Sequence, residues 1–299
     1  MRPLQYYTTR EWLRVKPLDH LLIQVGNDIL QRVFRGLRPG RLRGFLQDVA
    51  PLSGRNIGLV IAFEKPWVLD WLLKMAARNV SDGNFLVFDN SRGKEARREI
   101  EAVCRKNGTP YLPLPFSPTR HPNRSHGMAM TWVFHNVVRA IEPRTFTFID
   151  HDLIPMEKVC LGSIPEDQPF YGPRKAGKWG WWTLWAGYSA YYFSAVRELP
   201  LNFLNDFSRD LDTGGRNWPV FYRHHDREGL LFGKRERFEF IDPLDNSATS
   251  YQAQIVDAGW MHLGGAGHRD KFREHFDFYQ RLARATEDGL RLQDLVKKP

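Results

Sequence analysis

Phe146-Thr147-Phe148-Ile149-Asp150-His151-Asp152 decides how the chain is read, because a short apolar run delivers two carboxylates at its end. The run Phe146 to Ile149 is bulky and mostly apolar, with only the β-favouring Thr147 between the aromatics, which predicts a strand buried in a sheet. Open α/β sheets bind ligands beyond the C-terminal ends of such strands. Residues two apart on a strand point the same way and lie about 6–7 Å apart, so Asp150 and Asp152 can approach one cation or its water shell. Carboxylate oxygens are hard donors suited to Mg²⁺ or Mn²⁺, ions that bridge a few protein ligands to phosphate oxygens. Taken alone, an Asp-x-Asp more often caps a turn and faces water. The apolar strand before it carries the metal reading here.

Upstream, Asn56 to Met156 alternates strand and helix signals. The apolar run Ile57 to Phe63 is followed by a helical stretch opened by Pro66, then Phe85 to Phe88, then a charged helix closed by Asn107-Gly108. A short extended piece at Tyr111 to Leu114 precedes a helix with Ser125 as N-cap, burying Ala129, Trp132, Val133, Asn136, Val137 and Ala140. Strands alternating with helices predict an α/β fold with a mostly parallel central sheet flanked by helices. Before it, Leu18, Leu21, Leu22, Val25, Ile29, Val33 and Leu37 fall at helical spacing on one face, and Arg-Pro-Gly-Arg ends that helix. From about Leu161 the text turns to Trp, Tyr, Gly and Arg, predicting loops and an antiparallel edge, and then a C-terminal helix containing Phe276, Tyr279, Leu282 and Ala283. The expected division is an N-terminal helical extension at 1–52, a main domain at 53–275 with halves 53–156 and 157–275, and a helix and tail at 276–299.

Asn56 to Met156 resembles the nucleotide-binding half of GT-A glycosyltransferases, nearest the inverting family 2 and its relatives, with Asp150-His151-Asp152 in the place of that family's Asp-x-Asp motif. The resemblance implies a Rossmann-like GT-A domain and a nucleotide-diphosphate-sugar donor, a UDP-sugar first, held with Mn²⁺ or Mg²⁺. It further implies that Ala62, Phe63 and Glu64 border the nucleoside, that Asp89 contacts its base or ribose, and that His126 and His151 lie near the donor. The sequence departs from the family after the first strand, where Phe63-Glu64-Lys65-Pro66 replaces Pro-x-Tyr-Asn, and after the second, where Asp89-Asn90-Ser91 lacks a second acid. These departures leave the donor base open.

A third metal ligand is expected from the end of the domain, where Trp260-Met261-His262-Leu263-Gly264-Gly265 resembles the histidine element of GT-A enzymes; His262 is the first choice and His268 the reserve. Attack by an acceptor hydroxyl needs a base, and a carboxylate is the usual one. By the same resemblance that base is Asp212 in Leu211-Asp212-Thr213-Gly214-Gly215, ahead of Asp206, Asp210, Asp242 and Asp245; a turn-capping role for Asp212 competes with it. Trp179, Trp181, Trp182 and Trp185 crowd together with Tyr188, Tyr191 and Tyr192 nearby, and aromatic faces pack on sugar CH faces. Trp185, Gly187 and Tyr188 are the expected sugar or acceptor residues, with core packing as the alternative for the cluster.

The 299 residues carry net charge +9, which favours anionic partners without choosing among them. Cys104 and Cys160 are too few and too far apart for a zinc site or a disulfide scaffold, and read as buried thiols in a reducing, cytoplasmic compartment. No stretch approaches the length of a membrane span. Arg32, Arg35, Arg38, Arg41 and Arg43 in and after the first amphipathic helix allow peripheral contact with the inner face of a membrane, which a lipid-linked glycan acceptor would make useful. Nucleic-acid binding is the rival from another class, yet the basic charge is spread along the chain without a helix-turn-helix, zinc-finger or RNP pattern. A sugar-phosphate nucleotidyltransferase is the nearer rival, but only Lys65 represents the glycine-rich basic loop such enzymes carry after the first strand.

Overall fold

The structure, a computed structural model, describes residues 1–245, 247–264 and 275–297. Strands β1 (Asn56–Ala62), β2 (Gly83–Asp89), β3 (Tyr111–Pro113) and β4 (Thr145–Asp150) pair in parallel in the order β3-β2-β1-β4. The sheet then turns antiparallel: β9 (Tyr188–Tyr192) lies against β4, and β6 (Phe170–Tyr171) closes that edge. This is the mostly parallel, helix-flanked sheet expected of the alternating half, with the antiparallel edge expected of the second.

Both faces are buried, and the side-chain alternation divides them. Ile57, Leu59, Ile61, Leu86, Phe88, Phe146 and Phe148 point into one core, closed by α3 (Leu42–Val49) and α6 (Pro122–Val133). Val60, Ala62, Val87 and Ile149 point into the other, beneath α4 (Pro66–Asn79), α5 (Lys94–Lys106) and the C-terminal helix Phe276–Glu287. Helix α6 runs on through a single π turn at Phe134–Val138. Its N-cap is His121, whose ring accepts from the Arg124 amide, rather than the expected Ser125, which lies inside the first turn.

A second sheet, all antiparallel, was not foreseen: β13 (Val296–Lys297), β10 (Arg235–Ile241), β11 (Ala248–Val256), β12 (Trp260–His262) and β5 (Leu153–Pro155), in that order. Strand β10 reads Arg-Glu-Arg-Phe-Glu-Phe-Ile, and its charged positions hide the strand period. A two-stranded ribbon of β7 (Arg174–Ala176) and β8 (Trp182–Leu184) completes the strands among the described residues.

After the short helix α1 (Thr9–Leu13), helix α2 (Lys16–Gly36) forms where predicted, with Leu18, Leu22, Val25, Ile29 and Val33 facing outward and Asn27, Gln31 and Phe34 buried. One expectation is corrected. Cys104 is buried, which pushes its thiol up to about 12, but Cys160 is exposed.

His135, in the π turn, gives a pH-dependent element of stability. Burial lowers its pKa to about 4, although the hydrogen bond with the Leu201 carbonyl opposes this. An unfolded histidine takes up its proton near pH 6.5, so as pH falls from there toward the folded value the unfolded state gains protons that the native state refuses. Wild type should therefore lose on the order of 1 kcal/mol between about pH 7.5 and 5 from this group, discounted for partial exposure. His135→Gln should reduce that loss in urea titrations at the two pH values; an unchanged difference would mean that other groups carry it.

Candidate functional site

A cleft of about 370 Å³ opens at the C-terminal ends of β1 and β4. Ile61, near the end of β1, and Phe63, just after it, lie on its wall, and Asn90 and Arg92 follow β2. The N-terminal end of α6 contributes Asn123, Ser125 and His126. Gly127 lets that helix approach closely, since a Cβ there would lie 2.4 Å from the Phe203 carbonyl oxygen. His126 Nε2 consequently stands 3.5 Å from Asp150 Oδ1.

The strand expectation for the acid pair needs adjustment. Asp150 ends β4, whereas His151 and Asp152 form a turn before β5. The two carboxylates nonetheless converge, because β12 pairs with β5 and sets His262 opposite Leu153. One donor atom from each of Asp150, Asp152 and His262 lies within 4.8 Å of the others. His262 Nε2 is 3.4 Å from Asp152 Oδ1, and its Nδ1 is 3.4 Å from Gln254 Oε1. A proton on Nδ1 shared with Gln254 leaves the Nε2 lone pair directed to the acids, the usual arrangement behind a ligating histidine. Burial disfavours the His262 imidazolium, but the Asp152 and Asp150 carboxylates outweigh it and raise the pKa. Two carboxylates and one imidazole fit a hard divalent cation such as Mn²⁺ or Mg²⁺. His268 and Gly265 lie outside the described residues.

His151 lines the cleft and is buried; burial pushes its pKa down against the pull of Asp152 and Asp150. Its Nε2 has no hydrogen-bond partner among the described residues. Trp185 and Gly187 line the opposite side. The Trp185 ring meets His262 edge-on at 4.8 Å between centroids, and the Arg235 guanidinium sits 5.1 Å from the Trp185 centroid.

Asp212 is on the cleft wall, ion-paired to Lys175, accepting from Asn123 Nδ2 at 3.2 Å and from the Thr213 amide at 2.8 Å. Burial raises its pKa, but Lys175 and these donors prevail and hold the carboxyl below its ordinary value. None of the four rival acids lines the cleft. Asp206 is paired with Arg209, Asp210 with Lys178 and Asp242 with Arg281, while Asp245 accepts from the Ser247 amide.

Four expected contacts lie away from the cleft. Asp89 is fully buried, and its carboxylate accepts from Tyr111 Oη at 2.8 Å and from the Ser91 amide at 2.8 Å. Asn90, the next residue, faces the cleft instead, its Nδ2 donating to Ser125 Oγ. Glu64 turns aside at a positive φ of 56° and accepts from the Arg92 and Gly93 amides, so it braces the loop after β2. Ala62 is buried, its carbonyl accepting from the Asn90 amide. Tyr188 is buried against Trp260 in the second core. Of the tryptophan cluster only Trp185 reaches the cleft; Trp182 is core.

Sequence reasoning missed the cations. Arg92, Arg120 and Lys175 all line the cleft. Arg92 and Arg120 follow strand ends, and Arg120 precedes the start of α6, a helix end that itself favours anions. That position was the available signal.

No family profile and no curated protein sequence matches the chain. Similar solved structures include a mannosyltransferase from Pyrobaculum calidifontis in complex with GDP-Man and Mn²⁺, at 9% identity, 64% of this chain, 60% of that one and TM-score 0.37. Glucosyl-3-phosphoglycerate synthase from Mycobacterium tuberculosis, with Mn²⁺ and UDP-glucose, matches at 19% identity over 54% of this chain and 63% of that one, TM-score 0.33. The apo glycosyltransferase GlyE of Streptococcus pneumoniae TIGR4 matches at 13% identity over 48% of this chain and 35% of that one, TM-score 0.31. Each match spans less than two thirds of the solved chain's own length.

Proposed function

We propose that the chain is a metal-dependent glycosyltransferase of the GT-A type, moving a sugar from a nucleotide-diphosphate sugar to an acceptor hydroxyl. The observation that carries this reading is the convergence of Asp150, Asp152 and His262 within 4.8 Å at the C-terminal end of a parallel sheet. A bound Mn²⁺ or Mg²⁺ would neutralise charge on a leaving diphosphate. The chain's own residues do the rest. Arg92, Arg120 and Lys175 add positive charge for phosphate oxygens, and Trp185 offers a face to the sugar. Asp212, held ionised by Lys175, is positioned to take the acceptor proton, which suits an inverting displacement. A nucleic-acid site is disfavoured by the two acids at the centre of the cleft, which would repel phosphates without a cation between them.

The test is thermal unfolding with UDP, GDP, CDP and dTDP, each with and without Mn²⁺. At 100 times its dissociation constant a native-state ligand stabilises by about 2.7 kcal/mol. At least one nucleotide should raise the midpoint, and only when Mn²⁺ is present. Absence of any metal-dependent shift, together with salt-sensitive binding of an oligonucleotide, would replace this reading with the nucleic-acid one.

A further inference from the structure

Helix α2 is amphipathic in the reversed sense, with its polar side on the protein and its apolar side turned out. Asn27, Gln31 and Phe34 are buried, Asp28 pairs with Arg216, and the Arg35 and Leu37 carbonyls accept from Asn136 Nδ2 and Trp132 Nε1. On the far side Leu18, Leu22, Val25, Ile29 and Val33 are exposed, Leu22 and Val33 each at 61%. At about 100° per residue, the exposed apolar positions from Leu18 to Leu37 cover an arc of roughly 200°. Trp12 and Leu13, just before α2, are exposed as well. Of the 20 large apolar side chains exposed among the described residues, 13 fall between Leu4 and Leu37, a concentration that scattered surface residues do not produce.

Charge selects what covers this face. Residues 1–43 contain nine Lys and Arg against three Asp and Glu, so they hold +6 of the chain's +9. Two copies packed through α2 would bring these like charges together, and the arc is wider than the narrow seam of a helix pair. A bilayer with anionic headgroups satisfies both properties, because an interfacial helix sinks its apolar face while flanking cations meet phosphates. Arg10, Arg14 and Lys16 stand at one end of α2, and Arg32, Arg35 and Arg38 at the other. No described helix is long and apolar enough to cross a membrane. We propose that residues 4–37 form a docking surface that lies on an anionic lipid bilayer.

The surface is fastened to the cleft. The Arg2 amide donates to Ser208 Oγ, the Arg209 guanidinium to the Met1 carbonyl, and Arg216 binds Asp28, so the loop carrying Asp212 is held against the docking segment. On the function proposed above, on which this step alone depends, the acceptor is a membrane-held amphiphile presenting a hydroxyl toward Asp212.

The experiment is flotation of the full chain with vesicles of phosphatidylcholine alone and with about 25% phosphatidylglycerol. Wild type should bind the anionic vesicles at least about tenfold more, with severalfold loss when salt rises from about 0.1 to 0.5 M. The variant L22S/V25S/I29S should bind at least about tenfold less and keep the wild-type melting midpoint, since these side chains are exposed in the free chain. Wild type remaining in solution with anionic vesicles, or the triple variant floating equally, would overturn the proposal. So would a wild-type dimer in sedimentation that the triple variant converts to monomer, because the face would then belong to a second copy. Nucleotide-dependent stabilisation is measured without vesicles, so its failure and failure here are separate results.

Discussion

Asp152→Ala is expected to abolish Mn²⁺-dependent nucleotide stabilisation and to lower kcat/KM by about 10³ or more, which corresponds to roughly 4 kcal/mol of transition-state stabilisation. The size follows from its position. Asp152 is nearly buried, lies 3.4 Å from His262, and shares with Asp150 the one group of three candidate ligands among the described residues. Removing it takes one of two carboxylates from the set, and the remaining donors would hold a cation far more weakly. Circular dichroism should show the variant folded, because its neighbours belong to two sheets already held by their own pairing. Turnover within about threefold of wild type, with the metal-dependent shift retained, would assign the acid pair to structure.

Asp212→Asn should separate binding from chemistry. A positioned base contributes about 10²–10⁴ in rate, so kcat should fall by that amount while the Mn²⁺-dependent shift with nucleotide persists. Lys175→Gln supplies an independent readout. Lys175 is a main reason the Asp212 carboxyl lies below its ordinary value, so removing the ammonium raises that pKa. A base works only when ionised; the acid limb of the pH–rate profile should therefore move to higher pH in the lysine variant. An Asp212→Asn enzyme with undiminished kcat would reduce Asp212 to a loop residue holding the Thr213 amide.

The parallel sheet was readable because buried strands announce themselves as short apolar runs between turn signals, and β1, β2, β3 and β4 lie where those runs are. The candidate metal cluster was partly readable, since acids at a strand end carry their own chemical reason. Side-chain direction past a strand end was not. Asp89 and Asn90 are adjacent, and whichever one faces the cleft is set by how the loop turns after β2, which the residue types do not encode. Tyr188 failed for a related reason: as the first residue of β9 its side chain turns into the second core, while the preceding turn residue Gly187 borders the cleft. The outward face of α2 was unreadable in another way, because helical periodicity states that two sides differ without stating which one meets the protein.

The pairing of β12 with β5 has a consequence for how the second sheet assembles. His262 faces Leu153 across that ladder, one residue beyond Asp152, so the third donor reaches the acids only in this register. Side chains alternate along a strand, and a slip by one residue would turn Met261 toward the acids and His262 away. On the proposed function the site doubles as a gauge of correct threading: a chain whose last strands have annealed one step out would keep most of its sheet hydrogen bonds and yet fail to hold a cation. Metal affinity in refolded material would then count the correctly threaded molecules, a population that a far-ultraviolet spectrum would not distinguish from its misaligned neighbours.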